Sequence, residues 1–375
     1  MAMHIHPFRA IYPIFERIAS PDDFCANAKH AYLDYQRDQL LKQAEQEAVF
    51  LYQIQTAHRT HTGIIAANDL SDFLGGKVKK HERTLSEREH RQQELLLRWG
   101  AILKPVLLTF PPVAELNAWM QPFLNTHTPL FRVHFKEDNQ THTAWAIENP
   151  EHIRYLQALF AQHVPNVYIA DGHHRTTTLA LLQQQQDQHP EMDFEHLFCA
   201  YFATDQLDIL DYNRVVEGLN ELPPEQLFQH LGQLCTIEHT EHPRKPRHKH
   251  EMKMLFRDHW YRLQWRPELL QHARQHDPLP VLLDVSLLNE YVLHQLLGIK
   301  DVRTDMRITY VEGSKGLKGI RKAVGHHQER LGFALYPVSF DDMMRIADAG
   351  KTLPPKSTYF EPRMKSGALI KPLRR

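Results

Sequence analysis

Val167-Tyr168-Ile169-Ala170-Asp171-Gly172-His173-His174-Arg175-Thr176-Thr177-Thr178-Leu179-Ala180-Leu181-Leu182 is the stretch whose reading decides the fold. Its first four residues are apolar and rich in β-formers, and they read as a strand. Thr176 to Leu182 continues as a helix that dissolves into the glutamines Gln183 to Gln186. Between the two, Asp171, His173, His174 and Arg175 crowd polar groups around Gly172, where they serve no packing purpose. A strand handing over to a helix leaves backbone N–H groups exposed at the helix start, and those donors and the helix dipole favour a phosphate or carboxylate. Gly172 lets a ligand approach the backbone, Arg175 can fork two hydrogen bonds to phosphate oxygens, and Asp171 can hold Mg2+ or a hydroxyl. His173 and His174 can donate to a transferring phosphoryl group. With Thr176 they complete the expected nucleotide-binding set, and Asp171, His173 and His174 count as catalytic candidates.

Upstream, Asp22 to about Ala48 is polar with helical spacing, and Val49 to Ile54 and Gly63 to Ala67 read as strands. Lys77 to Trp99 is highly charged with a helical middle, Val106 to Phe110 resembles a buried strand, and Phe131 to Phe135 with Thr143 to Ile147 looks like a hairpin. Asn149-Pro150-Glu151 supplies a cap, a first-turn proline and a first-turn acid for a helix that buries Ile153, Leu156, Leu159 and Phe160. Downstream, Leu197 to Ala203 and Asp208 to Val216 read as further strands, and Pro223-Pro224 marks a boundary. Beyond it come a hairpin ending in Trp260 to Trp265, a helix from Val285 to Leu297 stopped by Gly298, and a helix opened by Ser339 and Asp342 and ended by Gly350. The proline-rich segment Leu353 to Pro362 cannot be a helix, and its aromatics predict an ordered strap packing back on the core. The expected architecture is α/β, with a core over residues 1–222, a smaller α+β unit over 223–375, and a ligand cleft between them.

With 375 residues, 42% of them apolar, the chain can fill two or three cores. Lys and Arg total 44 against 45 Asp and Glu, a net charge of -1, so no global positive field exists to hold nucleic acid or an anionic membrane. The absence of a basic, aromatic-lined stripe argues the same way. No apolar run approaches the roughly 20 residues that span a bilayer. Cys25, Cys199 and Cys235 are widely spaced and odd in number, which suits a reducing compartment, and the expected location is the cytoplasm. The 27 histidines are scattered through many contexts, and that scatter argues against a single metal cage.

His81-Glu82-Arg83-Thr84 lacks the His-Glu-x-x-His spacing of a zinc helix, since the next histidine is His90. What remains is a carboxylate beside a guanidinium and an imidazole, suited to a general base at Glu82 with His81, Arg83 and Thr84 as substrate contacts, or to a solvated charged face. Asn213 and Arg214, in Asp211-Tyr212-Asn213-Arg214, and Lys356 and Thr358, in Lys356-Ser357-Thr358, each suit an anion and extend the expected substrate site. Gly313-Ser314-Lys315-Gly316-Leu317-Lys318-Gly319 lacks phosphate-loop spacing and reads as a flexible turn.

The chain resembles a bacterial family known only as domain-of-unknown-function family 1015. Five motifs in order carry the resemblance: His81-Glu82-Arg83-Thr84, Tyr168 to Arg175, Asp211 to Val216, Leu283-Asp284-Val285-Ser286 and Pro354 to Phe360. The Asp-Gly-His-His-Arg turn is also similar to the signature of the ParB and sulfiredoxin superfamily, whose members place nucleotide phosphates there and include kinases of free serine. That likeness implies a ParB/sulfiredoxin-like core and an ATP- or ADP-dependent kinase, with Mg2+, acting on a small hydroxylated metabolite. A nucleotide sensor or interaction protein without turnover is the alternative, because fold alone does not fix function. One departure stands out: the family's Pro-Tyr-Asp-Val stretch is missing after Ala19-Ser20-Pro21-Asp22-Asp23-Phe24, so some N-terminal site residues are expected to be absent. The serine kinases use an acidic base, and Glu82 is the candidate here by its chemistry and its place in a motif.

Overall fold

The computed structural model describes residues 3–82 and 86–374. The chain divides into two units, one made of residues 1–208 and 362–375 and the other of residues 209–361. The division therefore falls at Asp208/Ile209 rather than at Pro223, because the Tyr212–Glu217 strand pairs with Ile308–Glu312 and Arg330–Ala334, both in the second unit. The last residues return to the first unit, where Ile370 and Ile11 exchange backbone hydrogen bonds of 2.9 Å each and Leu373 N–H donates to the Gly100 carbonyl at 2.8 Å.

The first unit is built on a mixed sheet. Its strands run in the order Val78–Lys79, Val167–Asp171, Val106–Phe110, His196–Ala203, Thr60–Asp69, Val49–Gln55, Gln140–Ile147 and Phe131–Phe135, with Ile5–His6 added along Thr60–Asp69. Val167–Asp171 is parallel to Val78–Lys79, and His196–Ala203 is parallel to Val106–Phe110; the other pairs are antiparallel. Val49, Phe50, Leu51 and Tyr52 are all fully buried in sequence, which requires both faces of this strand to be covered and explains its near-continuous apolar run. The Pro150–His163 helix begins as its residues dictate, with the Asn149 side chain accepting from Glu151 N–H at 2.8 Å and Ile153, Leu156, Leu159 and Phe160 buried.

Some local readings change. The first long helix spans Pro21–Arg37 and does not reach Ala48, because Gln39 takes a left-handed φ of 54° and the chain re-enters as the strand Leu41–Gln43. In the second unit, the expected Val285 helix starts at Asp284 and passes into a wider π-helical stretch, Leu288–His294, before Gly298 at φ 66°. Gly313 to Lys318 is ordered and not a flexible turn: a short 3-10 turn leads into the Gly316–Val324 helix. Gly313 is needed there, since a Cβ would lie 2.5 Å from the Asp211 carbonyl oxygen.

The second unit is a six-stranded antiparallel sheet ordered Cys235–Thr240, His259–Trp265, Glu251–Phe256, Arg330–Ala334, Tyr212–Glu217 and Ile308–Glu312. The Gly316–Val324 helix packs Ile320 and Val324 against Val215, Leu255, Trp260 and Val311. Arg214 is 1% exposed and donates through Nη1 to the Tyr212 carbonyl and through Nη2 to the carbonyls of Pro355, at 3.3 Å, and Lys356, at 3.0 Å. It thereby fastens the Pro354–Phe360 strap inside this unit, where Tyr359 meets the Tyr212 ring edge-on with centroids 5.5 Å apart. Burial lowers the Arg214 guanidinium to about 10. Removing it takes the donor from three partly buried carbonyls. Arg214→Ala is expected to lower unfolding stability by about 3 kcal/mol, read by denaturant titration, with Arg214→Lys recovering little because one ammonium cannot span the three acceptors.

Candidate functional site

The Val167–Asp171 strand shifts register against Val106–Phe110 between Ile169 and Asp171, an irregularity of the kind that re-aims a side chain where pairing ends. Gly172 follows with φ 114° and ψ 23°, and the helix His173–Gln183 begins at once. A Cβ on Gly172 would stand 2.6 Å from Arg175 Nη2, so only glycine lets the arginine fold back over the turn. There Arg175 Nη2 donates to Asp171 Oδ2 at 3.1 Å. The N–H groups of His173, His174 and Arg175 are the first three of the helix and have no intrahelical acceptor. Thr176 supplies the first helical bond, donating through both its N–H, at 3.1 Å, and its hydroxyl, at 3.3 Å, to the Gly172 carbonyl, and it is fully buried.

A second cation reaches the same carboxylate. Lys104 Nζ lies 3.3 Å from Asp171 Oδ2 with its side chain 19% exposed. Burial lowers the Lys104 ammonium to about 8, against the upward pull of Asp171. For Asp171 burial pushes the other way, yet the charges of Arg175, Lys104 and Arg363 outweigh it and hold the carboxyl well below the usual carboxylate range. Two cations contact one carboxylate at a helix N-terminus, and a third, Arg363, acts on it electrostatically. Sequence reading missed Lys104 and Arg363. The signal for Lys104 was a lone cation in the apolar run Ala101-Ile102-Leu103-Lys104-Pro105-Val106-Leu107; Arg363 comes from the segment that returns to this unit, and nothing local marks it.

Behind the turn sits a pair of buried histidines. His81 is fully buried, and burial pushes its imidazole down to about 3, so it is neutral. Its backbone N–H donates to His173 Nε2 at 3.3 Å, and the rings meet edge-on at 4.6 Å. Since Nε2 accepts, Nδ1 carries the proton of a neutral His173, whose imidazole burial and then His81 push well below the ordinary histidine value. That Nδ1 faces Glu82 Oε2 at 3.7 Å, and the Glu82 side chain is 41% exposed. His173 is therefore placed to orient Glu82 and is itself 6% exposed.

The structure thus gathers His81, Glu82, Asp171, Gly172, His173, His174, Arg175 and Thr176 in the first unit. Arg83 and Thr84 lie outside the described residues. Asn213, Arg214, Lys356 and Thr358 belong to the second unit. Asn213 is 1% exposed and its side-chain oxygen accepts from Leu335 N–H at 3.2 Å, and Arg214 holds the strap, while Asn213 Nδ2 and Arg214 Nε are buried with no hydrogen-bond partner among the described residues. Thr358 is buried, while Lys356, at φ 54°, places its ammonium 5.2 Å from the centre of the Tyr212 ring.

A family model described as a protein of unknown function, DUF1015, matches residues 8–286. The chain belongs to that family. No curated protein matches the sequence. Among solved structures, this family member is similar to SbnI with a C-terminal truncation from Staphylococcus aureus, at 13% identity and a TM-score of 0.43, covering 81% of this chain and 87% of that one. It is also similar to a free serine kinase variant in complex with ADP, at 12% identity and a TM-score of 0.40, covering 83% and 92%. A third is a conserved hypothetical protein from Pyrococcus furiosus, at 13% identity and a TM-score of 0.37, covering 82% and 95%. Among the described residues of this family member, no helix is long and apolar enough to cross a membrane.

The turn itself is open to a direct test. Gly172→Ala forces a left-handed alanine and displaces Arg175, and is expected to cost about 1–3 kcal/mol of stability. The result is read from the shift in unfolding midpoint, and an unchanged midpoint would mean that the turn relaxes freely.

Proposed function

We propose that the protein is a nucleotide-dependent phosphotransferase acting on a small hydroxylated metabolite, with free serine the first acceptor to try. The observation that carries this reading is the Gly172 turn, where a helix N-terminus stands beside Arg175 and Lys104, both salt-bridged to Asp171. Phosphoryl transfer needs mainly positioning and neutralisation of oxygen charge, and this arrangement offers both. The resemblance of the Asp-Gly-His-His-Arg turn to nucleotide-binding signatures supports ATP or ADP as the donor.

In this reading the N–H groups of His173 to Arg175 hold phosphate oxygens, and Arg175 and Lys104 neutralise their charge. Glu82, turned by His173, accepts the proton of the acceptor hydroxyl. The hydroxyl oxygen bonds to the terminal phosphorus, the bond from that phosphorus to the bridging oxygen breaks, and the nucleotide leaves one phosphate shorter. Asp171 does not fit a resident Mg2+ ion, because Arg175 and Lys104 already occupy its Oδ2 at 3.1 and 3.3 Å and would repel a bare cation. No step is therefore assigned to the ion.

Two outcomes test the proposal. Glu82→Gln is expected to keep ADP affinity within about twofold while lowering turnover at least a hundredfold, the usual scale for a general base, in an assay of nucleotide consumption against hydroxylated amino acids. Nucleotide binding without turnover by the unaltered protein would instead favour a sensor. The second outcome concerns pH. Lys104 must be protonated to bind an anion, and with its ammonium at about 8, affinity is lost as pH rises. Between pH 7 and pH 9 ADP affinity should fall by about tenfold, measured by calorimetry, and Lys104→Met should remove that dependence.

A further inference from the structure

Away from the Gly172 turn, three residues far apart in sequence converge in the first unit. Ile5–His6 lies beside the end of Thr60–Asp69, with His6 paired to Ala67, and His196–Ala203 lies on the other side, with His196 paired to Asp69. His6 Nε2 comes within 2.8 Å of Asp69 Oδ1, and His196 Nε2 lies 3.6 Å from the same oxygen. These three atoms all fall within 4.8 Å of one another. Ligand atoms bound tetrahedrally at about 2.0–2.1 Å stand close to 3.3 Å apart, and the 2.8 and 3.6 Å separations bracket that spacing.

We propose that His6, Asp69 and His196 form a binding site for a divalent transition metal of the zinc class. Two further observations point to a ligand. His6 Nε2 is sealed from solvent and, among the described residues, has no hydrogen-bond partner: its approach to Asp69 Oδ1 lacks hydrogen-bond geometry. A buried imidazole nitrogen facing a carboxylate oxygen without a bond between them is suited to sharing an ion. The other imidazole is oriented for the same purpose. His196 Nδ1 lies 2.9 Å from Asp193 Oδ1, and the other Asp193 oxygen accepts from Lys371 Nζ at 2.8 Å. Asp193 thereby fixes the proton of His196 on Nδ1 and turns the Nε2 lone pair inward, the carboxylate–histidine relay that accompanies metal-bound histidines. The Lys371 charge is spent on Asp193, and that of Lys77 on Asp72 at 2.5 Å, which leaves the Asp69 carboxylate to the ion.

The ligand set is specific in kind. Two imidazoles and one carboxylate suit zinc and its neighbours better than Mg2+ or Ca2+, which prefer oxygen alone. Three protein ligands leave a fourth position, and His6 and His196 line a cavity of about 990 Å3 that reaches it. His4 stands on the same side of the extended Ile5–His6 segment by its period of two, with Nδ1 3.6 Å from the second Asp69 oxygen. It is exposed and close enough to serve as a further donor.

The test uses the full-length protein, freed of metal by chelator and titrated with Zn2+ alone, and it involves no nucleotide, so its outcome is separate from that of the kinase reading. Wild type should bind one more tight Zn2+ per chain than His196→Ala or Asp69→Asn, and Co2+ should give a visible ligand-field band that both substitutions abolish. Asp193→Asn keeps all three ligands and should weaken Zn2+ binding about 10- to 100-fold, while His30→Ala, an exposed histidine elsewhere, should change nothing. If His196→Ala misfolds, His6→Gln on the short Ile5–His6 strand makes the same comparison. Equal stoichiometry and affinity in wild type and the ligand variants would overturn the proposal, assigning any bound zinc to the remaining histidines.

Discussion

Asp171 Oδ2 is shared by two cations, and the candidate site depends on that arrangement. Each cation alone would be poorly placed. The Lys104 ammonium is largely withdrawn from water, and a positive charge there is tolerable because a carboxylate lies 3.3 Å away. Arg175 can reach the same oxygen only by crossing the space where a side chain on residue 172 would begin. The glycine, the register shift before it and the helix start after it are thus one construction, in which strand geometry, backbone handedness and charge compensation need one another. The result is a pair of cations whose counter-charge belongs to the protein. An anion bound under the proposed function would compete with Asp171 for Arg175 and Lys104 rather than meet bare cations.

The second unit uses a buried cation differently. Arg214 meets neutral backbone carbonyls, so it contributes by satisfying partly buried acceptors in the strap and in its own strand. Asn213 instead meets a donor, its Oδ1 accepting from Leu335 N–H, and Asp284 accepts from His250 N–H at 3.1 Å while burial raises its carboxyl to about 7. Three of the sequence motifs that carry the family resemblance contribute such internal bonds, although Asn213 Nδ2, Arg214 Nε and Asp284 Oδ1 are buried with no hydrogen-bond partner among the described residues.

The sequence by itself determined the strand-turn-helix at Asp171-Gly172, most sheet strands, and the starts of the helices at Pro150 and Phe340, because each depends on residues within a few positions of one another. Ser339 accepts from Asp342 N–H three residues on, and Asn149 from Glu151 N–H two residues on; such signals survive in any context. It also brought His81, Glu82 and His173 forward as one functional set, although nothing local says that His173 would be buried against the His81 backbone. Only the tertiary structure decided the rest. Lys104 contacts Asp171 and Arg363 acts on it electrostatically, Arg214 is buried against the strap, and His6, Asp69 and His196 came together from scattered positions. These outcomes depend on which strands lie side by side and on which polar groups are already satisfied. Both are settled by pairing across tens to hundreds of residues, where the chemistry of a residue says what it can bind but not what it will meet.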